Sequence, residues 1–142
     1  MKALAKSECL ASRVEAGKAA LKGEHRPLIK EGKRCKVASS MDFEAAVDGL
    51  LPQQRRWDHL LECSAMPDSL VAVEVHAFDV SALVAKKAGT LAILRQECPD
   101  AIPAISSWHV VAKGSVPRAD LLSRFYADTR ITVGRVLDLR KG

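Results

Sequence analysis

Glu74 and His76 occupy alternate positions in the clearest strand pattern of the chain, Leu70 to His76, so both side chains leave the same face. Val71, Val73 and Val75 leave the other face. A second acid, Asp58, stands on the preceding strand pattern, and a third, Glu44, on the helical pattern before that. The helical pattern that follows carries Lys86 and Lys87. Lys87 falls between Val84 and Leu91 in the apolar stripe, where a lysine either snorkels past its neighbours or reaches towards something. Carboxylates, an imidazole and an ammonium group are the means of acid–base and charge-stabilising chemistry. Acids gathered without a cation repel one another, so at least one of the three should have a raised pKa.

This order of elements and charges resembles the PD-(D/E)XK nuclease superfamily, from about Asp42 to Lys113, roughly half the chain. In that family an acid on the first core helix, an aspartate on one central strand and an acid-x-lysine on the next gather around a divalent cation. The resemblance implies that Glu44, Asp58 and Glu74 are the acids and that Asp58 and Glu74 ligate Mg²⁺ or Mn²⁺. Hard oxygen ligands suit such ions. The ion would polarise a phosphodiester and lower the pKa of a bound water, and a nearby lysine would stabilise transition-state charge. The sequence departs from the family pattern at several points. His76 stands at the lysine position, giving Glu74-Val75-His76, and serves only as a base or a weaker cation. Lys87 would then supply the cation from the following helix, as in some members of the superfamily. Two strand patterns lie between the helices where the family has three, and Asp58 follows Arg55, Arg56 and Trp57 rather than a proline. The chain also resembles, in type alone, small bacterial proteins carried on mobile gene cassettes. That likeness rests on no motif and assigns no residues.

Other readings of the same residues stay open. Glu74 can face solvent on a sheet, His76 can be a hydrogen-bonded residue at a strand end, and Asp58 can pair with Arg55 or Arg56. Lys86 and Lys87 can form a solvated helix face. His59, His76 and His109 all lie on strand patterns and could converge on a transition metal. Alternation sends His59 with Trp57 and Leu61, opposite to Asp58, which weakens any site using both. Cys63 follows Glu62 with no evident histidine partner. No Gly-rich phosphate loop or Gly-x-Ser-x-Gly elbow exists. Trp57 and Trp108 can stack on a ligand or fill a core. Only six aromatic residues occur, which argues against an aromatic nucleic-acid platform.

The elements that must position these groups read as α β α β β α β α β. Residues 2–22 are rich in Ala, Leu, Lys and Glu and read as a helix with a weak stripe of Leu10, Val14 and Leu21, followed by a polar loop or arm to Lys36. Arg34 to Ser39 reads as a short strand, Asp42 to Leu51 as a helix stopped by Pro52, and Trp57 to Cys63 as a strand. The turn residues 64–69 make the next strand its antiparallel partner. Asp79 can cap a helix from Val80 to Glu97 with Val80, Leu83, Val84, Ala88, Leu91 and Leu94 as its apolar face. A strand at 107–113, a helix at 117–127 and a strand at 131–139 complete the chain. The expected fold is α/β (α+β): a mixed sheet of about four to five strands with a central antiparallel hairpin, helices over at least one face, and an extra N-terminal helix.

Residues 1–36 form a basic N-terminal helix and arm, and 37–142 an α/β core, one domain overall. The net charge of +5 is concentrated in the first part, where ten Lys and Arg face four Glu and leave the remainder slightly acidic. Lys30, Lys33, Arg34 and Lys36 are the candidate contacts to nucleic-acid phosphates. The four cysteines form no Cys-x-x-Cys pair and read as free buried thiols of a reducing cytoplasm. No apolar run approaches ~18–20 residues and the first residues show no secretory pattern, so no membrane association is expected. The residues thus leave the activity, and whether it is enzymatic, unassigned. The best specific reading is nucleic-acid binding or metal-dependent phosphodiester cleavage. The alternatives are a non-catalytic homo-oligomeric interaction module, using the N-terminal helix or an open sheet edge, and a small-ligand-binding domain with a pocket near Trp57 and Trp108.

Overall fold

Alternation along the segment Leu70–Ala77 divides the molecule into two apolar layers, with Leu70 and Ala72 in one and Val71, Val73 and Val75 in the other. The computed structural model describes residues 8–48 and 54–141. The strands are β1 (Glu15–Ala16), β2 (Ile29–Lys30), β3 (Val37–Asp42), β4 (His59–Cys63), β5 (Leu70–Ala77), β6 (Ile105–Lys113), β7 (Ile131–Gly134) and β8 (Leu137–Asp138). The helices are α1 (Glu8–Ala11), α2 (Phe43–Asp48), α3 (Val80–Glu97), α4 (Ala101–Ala104) and α5 (Ala119–Thr129).

The main sheet has six strands in the order β1-β3-β4-β5-β6-β7, wider than the four or five expected. The meander β3, β4 and β5 is antiparallel, and β5, β6 and β7 are parallel. The hairpin at the centre is the expected one, with His59 opposite Val73 and Glu62 opposite Leu70. Crossover helices α3 and α5 force the parallel half, because a parallel neighbour cannot be reached by a tight turn. Three antiparallel strands therefore precede α3, with α2 inserted between the first two.

Phe43, Val47, Leu83, Leu94 and Phe125 cover one face of the sheet from α2, α3 and α5. Leu21, Ile29, Leu137 and Leu139 contribute to the layer on the other face, from the N-terminal segment and the chain end. This overturns the expected helix over 2–22. Among the described residues helix α1 ends at Ala11, β1 pairs with β3, and Gly17 takes φ +56°. Leu10 is buried in the first layer and Leu21 in the second. One helix would carry both on the same side, so the chain breaks and rounds the sheet edge instead. The expected strand over 131–139 also splits, because β8 leaves the main sheet to pair in parallel with β2.

Helix α3 begins as expected, with the Asp79 carboxylate accepting from Ala82 N at 3.1 Å. Its buried face is Leu83, Gly89, Thr90, Ile93 and Leu94, whereas Val80 and Val84 are 49% and 43% exposed. The stripe read from the sequence was therefore rotated away from the true one. Gly89 shows why: its Cα packs against the Arg55 carbonyl, leaving no room for a Cβ. Next to it, the Thr90 hydroxyl accepts from Trp57 N at 2.7 Å and donates to Lys86 O at 2.9 Å.

Cys35 and Cys63 are joined as a disulfide with Cα atoms 5.9 Å apart, so the expectation of free thiols fails for this pair. Pairing of Val37 with Cys63 and the bond from Ser64 N to Lys36 O bring the two backbones together there. Cys98 is a buried thiol. No helix among the described residues is long and apolar enough to cross a membrane.

Two outcomes follow for stability. Gly89→Ala should lower the melting temperature although alanine favours a helix by roughly 0.5–1 kcal/mol. Overpacking against a fixed backbone costs about 1–3 kcal/mol and outweighs it. Thermal melts of both forms check the sign. Cys63→Ser should lose on the order of 3 kcal/mol of stability measured without reductant, from a bridge spanning 28 residues. Urea titrations with and without dithiothreitol check this, since reductant should weaken only the wild type.

Candidate active site

A cluster of carboxyl groups forms where α2, the start of β4 and the middle of β5 meet. Asp42 caps α2, its Oδ1 accepting from Ala45 N at 3.0 Å, and so sets Glu44 in the first turn. Glu44 N donates to the Asp58 carbonyl at 3.1 Å, tying α2 to the bend before β4. Asp58 is buried, and its Oδ2 accepts from Val75 N at 2.9 Å. Glu74, next to Val75, has no exposed surface. The Asp58 carboxyl group acts electrostatically on both Glu44 and Glu74, while the Glu74 oxygens make no hydrogen bond. Asp58 thus lies between Glu44 and Glu74, but the three acids do not bring one ligand atom each within 4.8 Å of one another, as His25, Asp58 and His59 do.

Two lysines approach them. Lys86 Nζ lies 2.6 Å from Glu74 Oε2. Lys22, from the segment covering the opposite face, donates to Glu44 Oε2 at 3.0 Å. Burial, followed by the Asp58 charge, pushes the Glu74 carboxyl up to about 8, against the opposing pull of Lys86. Burial pushes Glu44 up as well, but the Lys22 hydrogen bond and charge, with smaller help from Asp58 and Lys86, hold it below its ordinary value. The Glu44 hydrogen bond raises Lys22, and burial opposes it. An open cleft of about 200 Å³ is lined by Lys22, Glu44, Ala45, Asp48 and Arg56, so the Glu44 side of the cluster meets solvent.

The two remaining candidates stand apart. Lys87 donates to the Thr129 carbonyl at 2.7 Å and lies 5.2 Å from the Trp108 ring centre, closing the end of α5 rather than facing the acids. Its neighbour Lys86 takes the inward place because it stands three residues after Leu83 and four before Thr90. That spacing was present in the sequence, but was masked by Val80 and Val84. His76 shares the face of Glu74, and its Nδ1 donates to the Ala77 carbonyl at 2.6 Å, leaving Nε2 as an acceptor. Arg56 pairs with Asp48 at 2.8 Å, not with Asp58.

Lys30, Lys33, Arg34 and Lys36 are exposed. The last three precede β3, whose far end carries Asp42. Six residue steps of ~3.3 Å place Lys36 on the order of 20 Å from the acid end. Trp57 and Trp108 pack edge to face in the core with ring centres 5.3 Å apart.

The proposed convergence of His59, His76 and His109 does not occur. His109 bonds to Thr132 Oγ1 at 2.7 Å and to Val136 O at 3.0 Å, while His59 Nε2 meets His25 Nδ1 at 2.8 Å. His59 and Asp58 do come together, contrary to the alternation argument. Asp58 lies in the bend before β4, where strand parity does not hold, and Trp57 accordingly joins Leu60 in the first layer. Neither Lys22 nor His25 was identified as a site residue from the sequence, because both reach the site across the sheet edge.

No protein-family model, curated protein or solved structure matches this chain.

Glu74 makes stability depend on pH with a definite sign. Its folded-state value of about 8 exceeds its ordinary value of 4.5. The folded form therefore holds the proton longer, and stability falls as pH rises from about 4.5 towards 8. Denaturant melts at pH 5 and pH 8 should show this loss in the wild type and a smaller one in Glu74→Gln. Equal slopes in the two proteins would contradict the assignment.

Proposed function

We propose that this chain is a divalent-metal-dependent phosphodiesterase acting on nucleic acid. The observation that carries the reading is the buried Glu74 carboxylate held between Asp58 and Lys86, with Glu44 on the solvent side. The donor types suit a hard cation, being carboxyl groups from separate elements with both Glu74 oxygens buried and lacking hydrogen-bond partners, and an ion would have to draw Glu44, Asp58 and Glu74 closer together than they stand here. Asp58 and Glu74 would hold Mg²⁺ or Mn²⁺, with Glu44 supporting them. When bound, such an ion polarises a phosphodiester and lowers the pKa of a water.

The chain's own groups supply the rest. Lys86 neutralises charge developing on the phosphate, and its place is fixed by the helix that also grips Trp57. The Val75 N–H holds one Asp58 oxygen and fixes the carboxylate plane. Lys22 and Arg56 line the open cleft and would attract a phosphate backbone. Lys30, Lys33, Arg34 and Lys36 would contact phosphates farther along the strand, which adds salt-sensitive affinity without touching the reacting group.

A second reading, self-association, is favoured by one observation. Val80 and Leu121 are 49% and 41% exposed and line a common groove with Phe78 and Phe125. Light scattering that gives a monomer mass at micromolar concentration would remove it.

The phosphodiesterase reading is tested on labelled single- and double-stranded DNA and RNA with Mg²⁺ or Mn²⁺. Cleavage should require metal and be lost in Asp58→Asn and Glu74→Gln. Lys86→Ala should fall on the order of 10²–10³-fold, the usual loss for one charge-stabilising donor, while Lys87→Ala retains activity. The absence of cleavage on every substrate, together with no metal-induced rise in melting temperature, would overturn it.

A further inference from the structure

We propose that His25, His59 and Asp58 form a second metal site, selective for a transition-metal ion such as Zn²⁺. This site does not depend on the phosphodiesterase reading, and its donors differ in kind from those of the carboxylate cluster. His25, His59 and Asp58 are 5%, 0% and 6% exposed. One ligand atom from each lies within 4.8 Å of the others. Two imidazole nitrogens and a carboxylate oxygen are a donor set for Zn²⁺ and its neighbours, whereas Mg²⁺ prefers oxygen alone.

The local geometry favours a guest ion. His25 Nδ1 and His59 Nε2 face each other at 2.8 Å. This contact can hold one shared proton between neutral rings. Ligand bonds of ~2.0–2.1 Å in a tetrahedral site require the two nitrogens to separate by about half an ångström. Nearby, His59 Nδ1 is buried without a hydrogen-bond partner. With an ion on Nε2, Nδ1 is the N–H of the ring and needs a second-shell acceptor. Val75 N–H holds Asp58 Oδ2, and the same carboxyl group also acts on Glu44 and Glu74.

The site would join two parts of the chain that are far apart in sequence. His25 precedes the short 3-10 turn Arg26–Leu28 in the segment covering the second layer, and His59 opens β4. An ion there would fasten the N-terminal cover to the sheet. It would also share Asp58 with the carboxylate cluster, so occupancy of one site alters the charge felt by the other.

The test uses the full chain stripped of metal by a chelator and titrated with Co²⁺. Binding of one equivalent should produce visible d–d absorption of a low-coordinate nitrogen–oxygen site, which Zn²⁺ abolishes and excess Mg²⁺ leaves unchanged. His25→Gln keeps a polar group at the ring position. It should weaken Co²⁺ binding by at least the roughly 10–100-fold seen when only an outer partner is lost. Glu74→Gln should retain the Co²⁺ spectrum. X-ray absorption of the wild-type zinc form should show imidazole scattering, which does not depend on any variant folding. No stoichiometric Co²⁺ binding, a spectrum unaffected by His25→Gln, or one lost in Glu74→Gln and displaced by Mg²⁺ would overturn the proposal.

Discussion

Glu74 is withdrawn from water on a central strand, where burial raises its carboxyl to about 8 and the Lys86 ammonium at 2.6 Å opposes that shift. A buried carboxyl group that must be met by a polar partner constrains everything around it. Helix α3 must present Lys86 to β5. To do so it lies close enough over the segment before β4 that only glycine fits at position 89. Thr90 then satisfies the Trp57 N–H, which would otherwise be buried and unpaired. The bend that follows delivers Asp58 to the gap beside Glu74. The ion pair, the missing Cβ and the side-chain hydrogen bond are parts of one arrangement, and Asp58 is its product.

Asp58 occupies the junction of two chemistries because of where β4 begins. Towards the helical face it meets Glu44 and Glu74, and it also meets the paired imidazoles of His25 and His59. Burial is the main force lowering the His59 pKa, with Asp58 and Asp42 opposing it, so neutral imidazole is favoured there. The N-terminal segment contributes to both sides through Lys22 and His25. It is held by Leu21 and Ile29 in the second layer, which brings Lys22 to Glu44 and His25 to His59.

Strong periodicity made part of this legible in the sequence. The β4–β5 hairpin, the Asp79 cap and the span of α3 were readable because local residues determine them. The parity of β5, which puts Glu74 on the face of Leu70 and Ala72, was readable in the same way. What escaped depends on contacts between distant segments. The choice of Lys86 over Lys87 depends on which face of α3 packs down, the one with Leu83, Gly89 and Thr90 rather than the one with Val80 and Val84. The break at Gly17 depends on Leu10 and Leu21 finding opposite faces of a sheet that forms later in the chain. The Cys35–Cys63 bond depends on the register of β3 against β4. Parity misplaced His59 relative to Asp58 because the strand had not yet begun.

The buried state of Glu74 is the claim on which the site rests, and its carboxyl carbon can be followed directly by NMR in protein labelled at glutamate side chains. Assigned by comparison with Glu74→Gln, its signal should titrate with a midpoint near 8 without metal. Saturating Mn²⁺ would broaden it, so Mg²⁺ is used for the second titration, where the midpoint should drop by more than about one unit as the cation favours the charged form. A midpoint near the ordinary carboxyl value that Mg²⁺ does not move would contradict both the burial of the group and its place in a cation site.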